Sequence, residues 1–270
     1  MFKKITTIFF LLSGSALANE LKDWQLGFQK SASQGMSDIV WFHDYMLLPI
    51  ITAITAFVLF LLLYTCVRYR ASRNKIASTT SHNTIIEVLW TLIPCLILIV
   101  MAVPSFKVLY SQDTIPKADV TIKAVGYQWY WGYEYPDHGN FSYEAFMLQG
   151  EDEVEDGRPF KRMLTTDTIV VVPVNKIVRV QVTAADVLHS WAVPAFSVKT
   201  DAVPGRLNET WFKAEKTGIY YGMCSELCGV NHQSMPIEIH VVTENEFTKW
   251  VTESQKKYAS NSEKIELSAK

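Results

Sequence analysis

Residues 45–67, YMLLPIITAITAFVLFLLLYTCV, carry no charge between Asp44 and Arg68. A helix of that length crosses a hydrocarbon core about 30 Å thick. Working forward, Val88 to Phe106 is a second uncharged run, and its Pro94 and Pro104 are tolerated where neighbouring helices re-satisfy the freed backbone groups. We therefore expect spanning helices over residues 45–67 and 85–106. Two uncharged runs of this length argue against a soluble protein with buried core helices. The connection 68–84 holds Arg68, Arg70, Arg73 and Lys75 and no acidic residue, so the positive-inside bias puts it on the inner side and both termini on the outer side.

Working backward, residues 19–44 form an outer segment and residues 1–18 read as a secretory leader. Lys3 and Lys4 precede an apolar run from Ile5 to Leu12, and Ala16-Leu17-Ala18 is a small-residue cleavage site. An uncleaved amphipathic anchor is the plainer alternative. The leader delivers the N-terminus to the side that the loop charges select independently.

After Lys107 the period changes to two. Val178, Val180 and Val182 alternate with Arg179, Gln181 and Thr183, and Ile237, Ile239 and Val241 with Glu238 and His240. Val120 to Tyr135 and Ile169 to Val174 are further strand candidates, and Val203-Pro204-Gly205-Arg206 reads as a turn. Strands without intervening helices predict an all-β sandwich or barrel over residues 107–258. The acidic run 151–156 reads as a solvated loop, Glu246 to about Tyr258 as a short helix, and 259–270 as a polar tail.

The chemistry concentrates in Cys224-Ser225-Glu226-Leu227-Cys228-Gly229-Val230-Asn231-His232-Gln233-Ser234-Met235, with His189 upstream. Thiolate, imidazole and thioether together select soft metals, and copper is the ion that most often takes methionine as a weak axial ligand. A mononuclear blue-copper site needs one cysteine; two thiolates on one loop can bridge a pair of copper ions, each ended by a histidine. Two alternatives stay open on spacing alone. A Cys224–Cys228 disulfide gives His189, His232 and Met235 no reason to converge, and a structural zinc site leaves Met235 idle. The other cysteines, Cys66 and Cys95, sit in apolar runs as small packing residues. His43, His82, His138 and His240 lack comparable neighbours and read as surface or satisfied histidines.

Residues Gly126-Tyr127-Gln128-Trp129-Tyr130-Trp131, Asp186-Val187-Leu188-His189-Ser190-Trp191-Ala192-Val193-Pro194, 199–206 and the cysteine array resemble subunit II of the cytochrome c oxidases of bacteria and mitochondria. The resemblance implies a membrane-anchored all-β fold: a two-helix transmembrane hairpin followed by a cupredoxin-like β-domain. It implies that Cys224 and Cys228 bridge two coppers, that His189 and Met235 complete one ion, and that His232 and the Glu226 carbonyl complete the other. The Glu226 side chain would reach a magnesium ion shared with the catalytic subunit. Trp129 would be where the electron arrives, against ordinary strand packing as the plainer role. Glu87, at the inner end of the second span, would stand at the mouth of a proton path; an interfacial carboxylate turned to water is the alternative.

The same resemblance makes the donor a basic cytochrome c and the acceptor a haem–copper catalytic subunit I with other oxidase subunits. From Lys107 onward there are 22 acidic and 17 basic residues, a net of −5, a sign that steers a basic partner. Glu134, Asp137 and Asp186, in or beside the motifs, are the docking candidates. The lipid bilayer is the remaining partner, and no nucleic-acid partner is expected. The leader favours a bacterial inner membrane, with the β-domain periplasmic, over a mitochondrial one. A metal-free quinol oxidase subunit II scaffold is the alternative class, and the cysteine array argues against it. A copper-delivery protein would need a labile, exposed site. No C-x-x-C-H is present for covalent haem attachment.

Overall fold

A computed structural model describes residues 25–154 and 157–268; the leader read over residues 1–18 lies outside them. The first apolar run ends a continuous helix, Gln34–Arg68, made of α1 (Gln34–Phe42), a π-helical stretch at His43–Leu47 and α2 (Leu48–Arg68). Ser33 opens it as N-cap, its hydroxyl accepting from the Met36 N–H. The second helix, α3 (Thr84–Asp113), is capped by Asn83, whose side chain accepts from the Ile86 N–H. It outlasts the expected end at Phe106 because no proline or glycine intervenes before Pro116, which biases Ile115 towards extended backbone. Phe57, Leu62, Leu98 and Val103 are exposed along both helices. Helices that are apolar on every face and uncovered by their own chain are covered by lipid or by other subunits.

The remainder folds as two five-stranded sheets. One has the order β3 (Phe141–Ala145), β2 (Tyr130–Tyr135), β1 (Val120–Tyr127), β5 (Ile177–Ala184), β8 (Asn208–Lys213). The other has the order β4 (Val170–Pro173), β10 (Pro236–Val242), β9 (Gly218–Cys224), β6 (His189–Val193), β7 (Val198–Ala202). Pairing is antiparallel except for β1 with β5 and β10 with β4. Ile122, Val178, Val180 and Val182 of the first sheet and Trp191, Val193, Ile237 and Ile239 of the second are fully buried in one core. This is the sandwich the alternation predicts.

Three details depart from the sequence reading. The 120–135 segment is two strands, because the chain reverses at Gln128 and Trp129, which carry no turn-forming residue to announce it. Glu238, assigned by alternation to the wet face of β10, is 2% exposed. The 158–168 segment covers it: its carboxylate accepts from the Thr166 N–H at 2.9 Å, contacts His240 Nε2 at 2.9 Å and faces the Arg158 guanidinium at 3.6 Å. Finally, α4 (Glu244–Ser268) runs through the stretch read as a polar tail. Its start is a capping box, with the Glu246 carboxylate accepting from the Thr243 N–H at 2.8 Å. No glycine or proline follows to stop it.

Candidate metal centre

β9 ends at Cys224, where the sheet ladder gives way to the cysteine loop. Antiparallel pairing sets Trp191 of β6 opposite Cys224, and the Ser225 N–H donates to the Ser190 carbonyl at 3.0 Å. His189, two residues before Trp191, is thereby aimed at the loop. The donors converge. Cys224 Sγ stands 3.9 Å from Cys228 Sγ and 3.9 Å from His189 Nδ1. Cys228 Sγ stands 3.4 Å from His232 Nδ1 and 3.5 Å from Met235 Sδ, and the Glu226 carbonyl lies 3.4 Å from Cys224 Sγ. The ligand atoms of His189, Cys224 and Cys228 all lie within 4.8 Å of one another, and all three residues are buried.

These distances decide among the three readings of the array. A disulfide has its sulfurs about 2.05 Å apart, so the pair at 3.9 Å is not one. An ion with metal–sulfur bonds of about 2.3 Å fits between them. Met235 is 1% exposed with its thioether turned to Cys228, a donor that zinc would leave unused and copper accepts. The donor set fits copper.

Protonation points the same way. Burial pushes the Cys224 thiol up, but the bonds from His189 and the main chain of Glu226 and Ser190 outweigh it and bring it down to about 7. Burial and the neighbouring Cys224 thiolate push Cys228 up to about 12. As a pair, the first proton leaves near neutral pH and the second stays until a cation displaces it.

A second ring of residues fixes the donors. Asp186 Oδ1 contacts His189 Nε2 at 2.9 Å, which leaves Nδ1 to face the sulfurs. Asp186 also accepts from the N–H groups of Gln128 at 2.7 Å and Val187 at 2.6 Å. Burial works to raise its carboxyl, yet these donors together hold it below the usual range. The Cys228 carbonyl accepts from Trp129 Nε1 at 3.1 Å and Gln128 Nε2 at 2.9 Å, and the Met235 carbonyl from Trp131 Nε1 at 3.3 Å. Gln128, Trp131 and the positioning part of Asp186 escape a reading of donor types, although all three lie inside the quoted motifs. Gly126 is needed for a close approach: a Cβ there would stand 2.8 Å from His189 Cδ2. We expect Gly126→Ala to fold but to hold less than half the wild-type copper per chain, measured by metal analysis after gel filtration.

The other sequence candidates lie elsewhere. Glu134 pairs with Lys123 at 3.1 Å. Asp137 accepts from the Thr121 N–H at 2.8 Å, five residues before Gly126 and so about 17 Å along β1 from the His189 end. Glu87 sits in the first turn of α3, where its carboxylate accepts from the Asn83 N–H at 3.2 Å. The Glu226 side chain is exposed on the loop.

A β-sandwich carried behind two helices long and apolar enough to cross a membrane, closing thiolates, imidazoles and a thioether around one point, defines a metal-binding class of domain whose donors suit copper. Residues 120–242 match the family described as cytochrome C oxidase subunit II, periplasmic domain, and residues 21–108 match cytochrome C oxidase subunit II, transmembrane domain. A probable cytochrome c oxidase subunit 2 of Rickettsia bellii is 48% identical over 259 residues, covering 96% of this chain and 94% of that protein. Cytochrome c oxidase subunit 2 of Cereibacter sphaeroides is 47% identical over 244 residues, covering 85% and 80%. The crystal structure of the periplasmic domain of subunit II of the Bradyrhizobium japonicum cytochrome oxidase is 58% identical, covers 54% of this chain and 99% of that one, and superposes with a TM-score of 0.49. The chain belongs to the cytochrome c oxidase subunit II family, and as such is a membrane-embedded component of a haem–copper oxidase complex.

Proposed function

We propose that this chain takes electrons from a cytochrome c on the outer, periplasmic face of a bacterial inner membrane and hands them to the haem–copper catalytic subunit. The observation that carries the reading is the buried Cys224–Cys228 pair at 3.9 Å, flanked by His189, His232 and Met235. A metal-free scaffold has no use for such a cluster. Two coppers bridged by the cysteines would share one unpaired electron, so that each bond changes little on reduction and the barrier to transfer is low.

The chain's own residues prepare that centre. Cys224 and Cys228 would hold both ions between them, with His189 and Met235 completing one and His232 and the Glu226 carbonyl the other, and Asp186 holds the His189 ring in one tautomer. The Glu226 side chain is free on the loop to meet a magnesium ion shared with the catalytic subunit. Trp129, half-buried and bonded to the Cys228 carbonyl, is the residue through which an electron reaches the loop. Glu134, Asp137 and Asp186 guide the basic donor through the net −5 of the outer domain. Their shares are unequal: Glu134 is partly neutralised by Lys123 and Asp137 is remote, which leaves Asp186 the largest.

Copper analysis with electron spin resonance on the purified protein tests the centre. The expected result is two coppers per chain and hyperfine structure from two equivalent nuclei. One copper, or coupling to one nucleus, refutes it.

Glu87 is proposed as a proton inlet, since the first turn of α3 lies at the end of the span away from the copper domain. Glu87→Gln keeps an oxygen to accept from Asn83, so the helix cap survives while the titratable group is lost. Steady-state turnover of the oxidase should fall several-fold with reduction of the copper pair unchanged; equal slowing of both steps would remove the proton role.

A further inference from the structure

Where the membrane hairpin meets the β-sandwich there is a cavity of about 160 Å³, walled by the first turn of α1, the last turn of α3 and β8. Two side-chain donors on its walls, Gln112 Nε2 and Trp211 Nε1, are buried and have no hydrogen-bond partner among the described residues. A buried N–H without an acceptor is costly, and two on the walls of one cavity call for an acceptor from outside the chain. Gly35 keeps the cavity open beside one of them, because a Cβ at that position would stand 2.6 Å from Ser197 Oγ and 3.5 Å from Gln112 Nε2.

Size, depth and charge narrow the ligand. The volume equals about five waters of liquid and is well below the roughly 300–1,000 Å³ of sites for whole small molecules. It suits a polar group of a few atoms. Gln112 lies six residues past Phe106, the last residue of the uncharged run, and so about 9 Å beyond the hydrocarbon edge along α3. Headgroups fill about the first 5–8 Å of that distance, so Gln112 stands at their outer margin. Trp41 and Tyr45 are exposed on the same side of the membrane, at the start of the first span, where aromatic residues anchor helices at the interface. The lining also carries one cation, Lys213, and two carboxylates, Asp38 and Glu215. An isolated anion would meet both carboxylates; a zwitterion satisfies all three charges.

We propose that this cavity holds the headgroup of an aminoethyl phospholipid from the leaflet on the β-domain side. Gln112 Nε2–H and Trp211 Nε1–H donate to the phosphodiester oxygens, Lys213 balances that charge, and Asp38 and Glu215 receive the ammonium group. The lipid joins hairpin to sandwich by supplying acceptors to two donors that have none among the described residues.

The test uses the whole purified oxidase, stripped of lipid in detergent and then supplied with phosphatidylethanolamine, phosphatidylglycerol or inorganic phosphate, with retained molecules counted by native mass spectrometry. The wild type should retain one phosphatidylethanolamine more than Gln112→Leu/Trp211→Phe, with affinity at least about tenfold lower in that double variant, as expected for two lost hydrogen bonds. Gly35→Ala should lose the same molecule by filling the space. Asp38→Asn/Glu215→Gln should still bind phospholipid but no longer prefer phosphatidylethanolamine to phosphatidylglycerol, a change that a purely structural role would not produce. Turnover should stay at the wild-type rate throughout. Equal retention by the wild type and the double variant overturns the proposal. So does a wild type that holds phosphatidylglycerol or inorganic phosphate as tightly as phosphatidylethanolamine.

Discussion

An oxidase carrying Cys224→Ser or Cys228→Ser should take up electrons from reduced cytochrome c at least about a hundredfold more slowly than the wild type, a change of about 2.7 kcal/mol in the barrier. The two sulfurs have different neighbours, Cys224 with His189 and the Glu226 carbonyl, Cys228 with His232 and Met235. Each is still needed for both halves, because a single thiolate cannot bridge to both sides with the same covalency. Either variant should therefore lose the two-nucleus hyperfine pattern, not merely shift it. Met235→Leu is the contrast: a weak axial donor disappears, so the reduction potential should move while two coppers remain. Stopped-flow reduction with metal analysis on the three variants makes the comparison. A serine variant that keeps the wild-type rate and spectrum would disprove the bridging role.

The second large effect separates arrival of the electron from docking. Trp129→Ala should slow transfer inside the docked complex by roughly tenfold or more, about 1.4 kcal/mol, with affinity and its salt dependence nearly unchanged. Because Trp129 Nε1 also donates to the Cys228 carbonyl, the alanine variant removes both an aromatic ring and a loop anchor. Trp129→Phe keeps the ring and loses only the bond, and Gln128 Nε2 still holds that carbonyl at 2.9 Å. The phenylalanine variant should thus recover most of the rate. Neutralising Glu134 or Asp137 should raise KM for cytochrome c by an amount that shrinks with salt. Asp186→Asn should do this and also move the reduction potential, since it disturbs the His189 contact. A Trp129→Ala variant altered only in binding would refute the assignment.

Much of this was readable from residue types because the governing patterns are local. Uncharged length sets the spans, alternation sets β5, where Val178, Val180 and Val182 are buried as expected, and ligand chemistry sets the metal. What was not readable depends on contacts between distant segments. Glu238 looks solvated until the 158–168 segment is laid over it. Asp186 looks like one acidic surface residue among many until β6 turns His189 back towards it. Gln128 has no donor chemistry of interest until the cysteine loop, 100 residues later, presents a carbonyl to its amide.

The pairing of β6 with β9 also sets an order of events in making the protein. His189 and Cys224 lie 35 residues apart in the chain and meet because Trp191 stands opposite Cys224 in the ladder. A slip of one residue would turn one of them to the other face of the sheet. Residues 224–235 carry Cys224, Cys228, His232 and Met235 by themselves, but His189 joins them only when β6 has paired with β9, so the full donor set exists only in the closed sandwich. The complete site is therefore open to loading only once the sandwich has closed, with both thiols still reduced. The supply of metal and the guarding of those thiols against oxidation are consequently tasks for the compartment, not for the ribosome.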